Sequence, residues 1–419
     1  MSVLRHLIAT VSFMVASCWA ISAAHAETRW PRWRGPRGDG HSTETTLPVT
    51  WDNHDVAWKS PIPGVGESSP IIWLDKLFLT TSEKDGSQRS VLCFDRRDGQ
   101  LLWKQTVAYP GPPEELHKMN TFASPTCVTD GEVVVAFFGR AGLHAYSLEG
   151  KHLWSNDLGV FENPWGVGAS PVLVGDLVIQ NGDADRDAFL AAFDKRTGTT
   201  KWRVPRPDHR GWSTPILIDI AGRQELVLNG HEGVTAYAPA TGRQLWFCQS
   251  FAGRGEPTAT PGQGLIFLVN GLAGDIYAVK PGGNGNVTST RMAWHTQRRA
   301  GRDLPSPIVI DQYLIVASMG GVAICYDATS GAVVWQDRLG GTVSASPIAA
   351  AGLAYFQIED GTVTVIKPGP QPEQVAQNKI DIEGDEVFRA SPAPCEGQLF
   401  LRSDRALYCI GSRSPATEK

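Results

Sequence analysis

A short phrase that ends on tryptophan recurs along this chain, and it limits the possible folds more than any other feature. Five close copies read FDRRDGQLLW, YSLEGKHLW, FDKRTGTTKW, YAPATGRQLW and YDATSGAVVW, and they end on Trp103, Trp154, Trp202, Trp246 and Trp335. Looser copies end on Trp58 and Trp294. In the close copies a polar residue and a glycine form a hairpin turn, and the tryptophan lies on the strand that follows. The phrase therefore predicts one structural unit that is repeated.

Successive tryptophans are 41 to 51 residues apart, and each interval begins with a Ser-Pro or Thr-Pro pair. The eight pairs are Ser69-Pro70, Ser124-Pro125, Ser170-Pro171, Thr214-Pro215, Thr260-Pro261, Ser306-Pro307, Ser346-Pro347 and Ser391-Pro392. A period of about forty to fifty residues with strand-forming content is typical of a β-propeller. We therefore predict an all-β chain that forms an eight-bladed β-propeller of four-stranded antiparallel blades.

The residues after Ser170-Pro171 show how one unit forms a blade. VLVG, DLVIQNG, AFLAAFD and TTKWRV are short apolar and β-branched runs, and Gly175-Asp176 and Thr197-Gly198 provide hairpin turns. The runs are apolar on both faces, as expected where each sheet packs between two others. On the outermost strand, the tryptophan is expected to dock on the neighbouring blade and to donate its indole N–H to the backbone there.

The two ends of the repeat array are incomplete in complementary ways. The last unit, from Ser391 to Ile410, has three strands, and residues 56–59 form a tryptophan strand with no unit before it. We expect these two fragments to complete one blade and close the ring. The seventh unit lacks its tryptophan, and we expect Ile380 at the corresponding place. The predicted divisions are a signal peptide (1–26), an N-terminal extension (27–55), the propeller (56–412) and a tail (413–419).

The N-terminus has the pattern of an export signal. Arg5 precedes an apolar stretch that runs to about residue 24, and Ala24-His25-Ala26 forms an A-x-A cleavage site. This predicts a periplasmic or secreted protein. The alternative is a lipoprotein box that ends on a lipidated Cys18, which is less favoured because the better small-residue site comes later. No second apolar segment is long enough to span a membrane.

The charge balance limits the partners that the chain can bind. The net charge is -5, and removal of the leader with its single Arg5 makes it -6, with no basic stripe. This excludes nucleic acids and anionic membranes held by charge. We expect a monomer.

Three cysteines occupy a position that other repeats fill with alanine. Cys93, Cys325 and Cys409 stand in VLCFD, AICYD and LYCIG, where other units have LHAYS, LAAFD, VTAYA and IYAVK. A residue that exchanges with alanine on a buried strand is a small hydrophobe. We predict that none of the three forms a disulfide.

The tryptophan phrases resemble the docking motifs of the pyrroloquinoline quinone (PQQ) repeat family, which includes the propellers of quinoprotein alcohol dehydrogenases and non-catalytic relatives. The resemblance extends from about Trp58 to Ile410. The segment WPRWRGPRGDG, residues 30–40, also resembles one that is common in exported bacterial members of this superfamily. A further similar propeller is the outer-membrane assembly lipoprotein that supports β-barrel insertion.

The resemblance to the dehydrogenases implies PQQ with Ca²⁺, a vicinal disulfide under the quinone and a catalytic aspartate. This chain has no vicinal cysteines, and its linkers are short. No calcium-ligand set and no catalytic aspartate align, so no catalytic or metal-binding residue is transferred. We expect no cofactor, with PQQ and Ca²⁺ as the alternative.

Candidate binding residues lie three and five positions before the repeated prolines, where a propeller chain lines one mouth of the central channel. They are Glu67, Asn120, Phe122, Arg210, Trp212, Glu256, Arg302 and Arg389, with Asp303 beside them. Two acids, three arginines and two aromatic rings can hold an anionic or planar polar ligand. The alternative is a set of hydrated residues that form salt links across a wet channel.

Two classes of function are compatible with these observations. The first is an exported, non-catalytic propeller that acts as a binding or scaffold module in the cell envelope, with a protein, peptide or polymer as ligand. The second is a PQQ-dependent quinoprotein oxidoreductase with a reduced active site. The missing vicinal cysteines favour the first, although docking motifs specify a fold and not a chemistry.

Overall fold

A computed structural model describes residues 29–112, 114–249, 254–271, 274–297 and 305–412. Its strands form eight antiparallel sheets that are arranged as a ring, which confirms the predicted eight-bladed all-β propeller. The predicted signal peptide, with Cys18, and the predicted tail lie outside the described residues. Short helical turns occur at Asn53–Asp55, Gly139–Ala141 and Thr288–Arg291.

The first four blades follow one another along the chain. From the axis outwards their strands are Ile71–Trp73, Lys76–Ser82, Gln88–Asp95 and Leu101–Ala108 in blade 1; Val128–Thr129, Val133–Phe137, Leu143–Ser147 and His152–Asn156 in blade 2; Val172–Val174, Leu177–Gly182, Phe189–Asp194 and Thr200–Pro205 in blade 3; and Ile216–Ile220, Arg223–Asn229, Gly233–Tyr237 and Gln244–Gln249 in blade 4. Two of these sheets gain a fifth strand: Arg29–Trp30 pairs with the innermost strand of blade 1, and Gly285–Asn286 pairs in parallel with the outermost strand of blade 4.

The remaining blades include the one that closes the ring. Their strands are Thr260–Gly262, Leu265–Val269, Ile276–Val279 and Met292–Thr296 in blade 5; Ile308–Ile310, Tyr313–Ala317, Val322–Asp327 and Val333–Arg338 in blade 6; Ile348–Ala350, Leu353–Gln357, Val363–Lys367 and Glu373–Asn378 in blade 7; and Ala393–Cys395, Gln398–Arg402, Ala406–Ile410 and Val56–Pro61 in blade 8. Val56–Pro61 pairs antiparallel with Ala406–Ile410. The predicted closure by an N-terminal strand is therefore confirmed.

Each docking tryptophan lies directly opposite a small residue on the third strand of its blade. The pairs are Trp58 with Cys409, Trp103 with Cys93, Trp154 with Ala145, Trp202 with Ala192, Trp246 with Ala236, Trp294 with Ala278 and Trp335 with Cys325. A small side chain at this place leaves room for the indole ring. The six cysteines in the described part of the chain are all buried and unbridged.

Blade 7 lacks the tryptophan, as the sequence indicates, but a different residue from the expected one takes its place. The third-strand residue Val365 faces Ala376 with the same register shift that the other blades show at their tryptophans. The expectation that Ile380 takes the tryptophan place is therefore wrong, because the outermost strand already ends at Asn378. Asn378 instead binds the N-terminal extension, accepting from the Trp51 N–H at 2.9 Å and donating to the Val49 carbonyl.

Six docking tryptophans donate the indole N–H to a backbone carbonyl of the next blade. The acceptors are Arg96 for Trp58, Leu148 for Trp103, Lys195 for Trp154, Pro239 for Trp202, Ala328 for Trp294 and Gly369 for Trp335, at 2.8–3.1 Å. The turn glycine of the next phrase packs under the ring. At Gly198, where φ is +71°, a Cβ atom would lie 2.8 Å from the Trp154 indole. The turn therefore needs glycine for its backbone conformation and for this contact.

Trp246 is the exception among the docking tryptophans. It is fully buried, and its indole N–H donates at 2.6 Å to Oε2 of Glu225, on the second strand of its own blade. The added strand Gly285–Asn286 covers this edge, with Gly285 opposite Trp246. This added strand lies in the long connection between the third and fourth strands of blade 5. It takes the place of the usual indole-to-carbonyl bond between blades 4 and 5.

Candidate functional site

Eight hydroxyl residues, one from each blade, form a closed circle of hydrogen bonds that we call the hydroxyl ring. Its members are Ser69, Thr126, Ser170, Thr214, Thr258, Ser306, Ser346 and Ser391. The backbone N–H of each member donates to the side-chain oxygen of the next at 2.9–3.0 Å, and Ser391 donates to Ser69. A circle with one member from every blade surrounds the axis of the propeller.

The hydroxyl ring fixes which residues reach the mouth of the channel. Residues two positions before the ring members line one axial cavity: Glu67, Ser124, Gly168, Trp212, Glu256, Ser344 and Arg389. In blades 2 and 5 the ring member is not the residue before the repeated proline. Thr126 lies two residues after Ser124, and Thr258 lies two residues before Thr260. Alternate residues of an extended chain share a face, so either hydroxyl of each pair can point to the axis.

The opposite end of the channel is closed by residues 29–42, which we call the plug. The plug contacts residues that follow the hydroxyl ring in several blades: the Pro31 carbonyl accepts from Thr129 N–H in blade 2, and Gly40 and Ser42 bond to Ala349 in blade 7. The fully buried Arg34 donates to the Thr260 hydroxyl and to the Pro307 carbonyl in blades 5 and 6. Because these contacts lie in blades on different sides of the ring, the plug crosses the axis.

The result is an axial cavity that is open at the mouth and closed by the plug. Its volume is about 220 Å³. Trp33 of the plug lies at the closed end, six members of the hydroxyl ring line the wall, and His117, Met119, Asn120 and Trp165 join the mouth residues.

An ion-pair network crosses the mouth. The guanidinium of Arg389 bonds to Glu67 at 2.9 Å and to Glu359 at 3.1 Å. Burial raises the pKa of Glu67, while the hydrogen bond and the charge of Arg389 act in the opposite direction. Burial acts to lower the pKa of Arg389, but its bonds to Glu67 and Glu359 outweigh burial and raise it. Among the lining residues that the structure describes, the one arginine is therefore already held by two carboxylates.

Aromatic rings and an amide complete the lining. The indole N–H of Trp212 donates to the Gly166 carbonyl at 2.8 Å, which fixes the ring at the mouth. The amide of Asn120 donates to the Trp165 carbonyl, and the His117 ring stacks on the Trp165 indole with 4.1 Å between centroids. Arg254 lies 3.7 Å from the carboxylate of Glu256.

The structure brings together part of the predicted set. Glu67, Asn120, Trp212, Glu256 and Arg389 line the axial cavity. Arg210 turns away and forms an ion pair with Asp185 at 2.7 Å, and Phe122 packs against Arg89 beside a neighbouring cleft. Arg302 and Asp303 lie outside the described residues. With Arg210 elsewhere, the described lining has two carboxylates and a single arginine.

The sequence did not identify Trp33, Trp165 or the wall of hydroxyls as site residues. In the sequence, the Ser/Thr-Pro pairs mark only the repeat, and the segment from Trp30 to Gly40 shows only a resemblance. In the parts of the chain that the structure describes, no group of three or more His, Cys, Asp or Glu could hold a metal ion. No helix in those parts is both long and apolar enough to cross a membrane.

The fold and cavity define a class of protein: an eight-bladed β-propeller with an axial cavity that its own N-terminal segment closes. More specifically, the chain belongs to the family described as outer membrane protein assembly factor BamB, whose model matches residues 49–263 and 272–368. A curated relative, the outer membrane protein assembly factor BamB of Moranella endobia (strain PCIT), is 27% identical over 124 residues. That match covers 28% of this chain and 28% of the relative's length.

Solved structures share the fold at low sequence identity. BamB from Moraxella catarrhalis has a TM-score of 0.60 at 14% identity and covers 86% of this chain and 98% of that one. A europium-containing methanol dehydrogenase has a TM-score of 0.70 at 11% identity, with 92% and 98% covered. The quinohemoprotein alcohol dehydrogenase ADHIIG from Pseudomonas putida HK5 has a TM-score of 0.65 at 11% identity, with 95% and 82% covered. At these identities the likeness concerns the fold alone.

Proposed function

We propose that this chain is an exported, non-catalytic propeller of the cell envelope, periplasmic or secreted, that binds an envelope protein, peptide or polymer through the axial cavity and its mouth. The observation that carries this proposal is the cavity itself, where one ring of residues from different blades converges on a space with a closed end. Membership in a family named for outer membrane protein assembly supports a role as a scaffold in the envelope.

The charge of the cavity supports the absence of PQQ. PQQ is a planar tricarboxylic acid, and a site for it has to supply cations. The described lining instead contains the carboxylates of Glu67 and Glu256, and the nearby cations are already paired: Arg389 with two acids and Arg254 with Glu256. These residues do not fit the group, so no chemical step is assigned to it. Reconstitution with PQQ and Ca²⁺ is expected to give no stoichiometric quinone absorbance, and a stoichiometric band would favour the oxidoreductase instead.

Two arginines provide a matched test of the binding site. Arg389 and Arg210 are both ion-paired and similarly exposed, with 22% and 26% of each side chain accessible, but only Arg389 lines the cavity. The double variant Trp212→Ala/Arg389→Ala and the single variant Arg210→Ala would be immobilised beside the wild type and exposed to envelope extract. We expect the double variant to lose the partners that the wild type retains and Arg210→Ala to keep them. An unchanged set of partners on the double variant would move the binding site away from the cavity.

A further inference from the structure

The hydroxyl ring presents hydrogen-bond donors to the axial cavity. Ser69, Thr126, Ser170, Thr214, Ser346 and Ser391 line the cavity and are only 2–6% exposed. Each of these hydroxyl oxygens accepts a backbone N–H, and in the described part of the chain none donates its own hydrogen to a protein acceptor. A hydroxyl has one donor to give, so six buried donors are left for whatever fills the cavity.

The mouth offers the complementary groups. The carboxylates of Glu67 and Glu256 and the amide of Asn120 lie among the lining residues. A carboxylate has about four lone-pair sites, so Glu67 can accept further hydrogen bonds while it is paired with Arg389. A ligand in this space therefore meets donors along the wall and acceptors at the mouth. Groups that both accept and donate, such as alcohols, satisfy both sets.

Aromatic faces and size restrict the ligand further. Trp33 lies at the closed end, and Trp165 and Trp212 flank the mouth. Indole faces pack against flat apolar surfaces, including the C–H faces of a saturated ring. The cavity volume of about 220 Å³ is small, and the closed end favours one ring-sized group of a ligand, with anything larger extending through the open mouth.

We propose that the axial cavity binds one neutral sugar ring, the terminal residue of an envelope glycan, with its hydroxyls on the hydroxyl ring and its C–H face on an indole. This inference rests on the proposed function, because it names the ligand class of the same site. A negatively charged sugar is disfavoured because the carboxylates of Glu67 and Glu256 line the cavity, and the described arginines beside them, Arg389 and Arg254, are already ion-paired with these carboxylates.

Purified mature protein would be titrated with methyl glycosides of glucose, galactose and N-acetylglucosamine, with methyl glucuronide as the anionic counterpart and glycerol as the acyclic one. Saturation-transfer NMR and tryptophan fluorescence report binding. We expect a neutral glycoside to bind saturably with Kd on the order of 1 mM. The glucuronide should bind about tenfold more weakly and glycerol not measurably. No saturable binding by any neutral glycoside, or tightest binding by the glucuronide, would overturn the inference.

Two threonines of the hydroxyl ring make a matched pair of variants. Thr214→Val and Thr258→Val each remove one ring acceptor, for Ser170 N–H and Thr214 N–H respectively. Only Thr214 lines the cavity, and the Thr258 hydroxyl already donates to the Thr214 carbonyl. We expect Thr214→Val to weaken glycoside binding about fivefold, the worth of one neutral hydrogen bond, and Thr258→Val to weaken it less, because only Thr214 of the two lines the cavity. Equal weakening by both variants would mean that the loss is structural and would overturn the assignment.

A further variant and the envelope-extract experiment separate the possible failures. Ser346→Ala, at another lining member of the ring, repeats the design if Thr214→Val does not fold. Retention of envelope partners together with no glycoside binding would overturn the sugar inference and leave the proposed function standing. Glycoside binding without any retained partner would overturn the scaffold role and support the sugar site.

Discussion

The hydroxyl ring and the outer belt of tryptophans join the same blades under different constraints. The ring makes the same N–H to hydroxyl bond at all eight junctions. In the belt, which consists of the seven docking tryptophans, six indole N–H groups donate to a carbonyl of the next blade. The seventh, Trp246, donates to the buried carboxylate of Glu225 instead. Blade 7 has no docking tryptophan and binds the N-terminal extension through Asn378. Near the axis the inner strands of neighbouring blades are close together, so the same hydrogen-bond geometry forms between every pair of blades. At the rim there is room for an inserted strand or an added segment.

The largest expected effect comes from removal of the closing strand, which carries the docking residue Trp58. Deletion of residues 27–60 removes the plug and all of the closing strand except Pro61, and it leaves blade 8 with three strands and an unpaired edge. We expect aggregation or loss of cooperative thermal unfolding, measured by calorimetry. Deletion of residues 27–42 alone keeps the closing strand and should unfold cooperatively at a lower temperature. If the longer deletion melted as the intact protein does, closure by this strand would not be what holds the ring.

The next effect compares two joints of the belt. Trp246→Phe takes a donor from the buried carboxylate of Glu225, whereas Trp154→Phe takes one from the neutral carbonyl of Lys195. Hydrogen bonds to charged groups contribute about 1.5–3 kcal/mol and neutral ones about 0.5–1.5 kcal/mol. We expect Trp246→Phe to lower the free energy of unfolding by about 3 kcal/mol and Trp154→Phe by about 1 kcal/mol in urea titrations. Equal losses would remove the distinction between the two joints.

Three Thr→Val substitutions, which nearly preserve side-chain shape, test whether the hydrogen bonds of the hydroxyl ring contribute equally to stability. Thr126→Val, Thr214→Val and Thr258→Val each leave one buried backbone N–H without its acceptor. An unpaired buried donor costs about 1–3 kcal/mol. We expect the losses of unfolding free energy for Thr126→Val and Thr214→Val to agree within about 0.5 kcal/mol, since the bonds have the same geometry, and the loss for Thr258→Val to be larger because its hydroxyl also donates to the Thr214 carbonyl. A wide gap between the first two losses would show that the ring is no more regular than the belt.

The smallest effect on stability is expected for the cysteines that lie opposite docking tryptophans. Cys93→Ala, Cys325→Ala and Cys409→Ala should each change the free energy of unfolding by no more than about 1 kcal/mol, because alanine fills this place in other blades. Burial raises the pKa of Cys93 to about 12, so at pH 8 its thiol is protonated and should resist alkylation in the folded protein. Mass spectrometry without reductant checks both points, and a bridge through any of the three would contradict them.

Most of the fold could be predicted from the sequence because the information is local and repeated. The spacing of the tryptophans and of the Ser/Thr-Pro pairs specified eight blades, and the two incomplete ends specified the closing strand. Blade 7 could not be read in this way. Its place opposite Val365 holds Ala376, which carries no signal of its own.

The site was less predictable because side-chain direction depends on distant partners. Arg210 turns away from the cavity towards Asp185, and nothing in its own repeat indicates that choice. Thr126 and Thr258 enter the hydroxyl ring although their neighbours Ser124 and Thr260 stand before the prolines, a selection made only when all eight blades meet. Trp33 reaches the cavity through a crossing of the axis that no repeat encodes.

The hydrogen bonds of the hydroxyl ring all run in the same sense around the axis, from each blade to its successor. A head-to-tail contact of this kind ends only when the rotation between neighbours completes a full turn. In the hydroxyl ring, the number of blades therefore follows from the angle between neighbouring blades and not from recognition between particular blades. At the level of the hydroxyl ring, an additional blade would bond to both of its neighbours and would still keep the circle from closing.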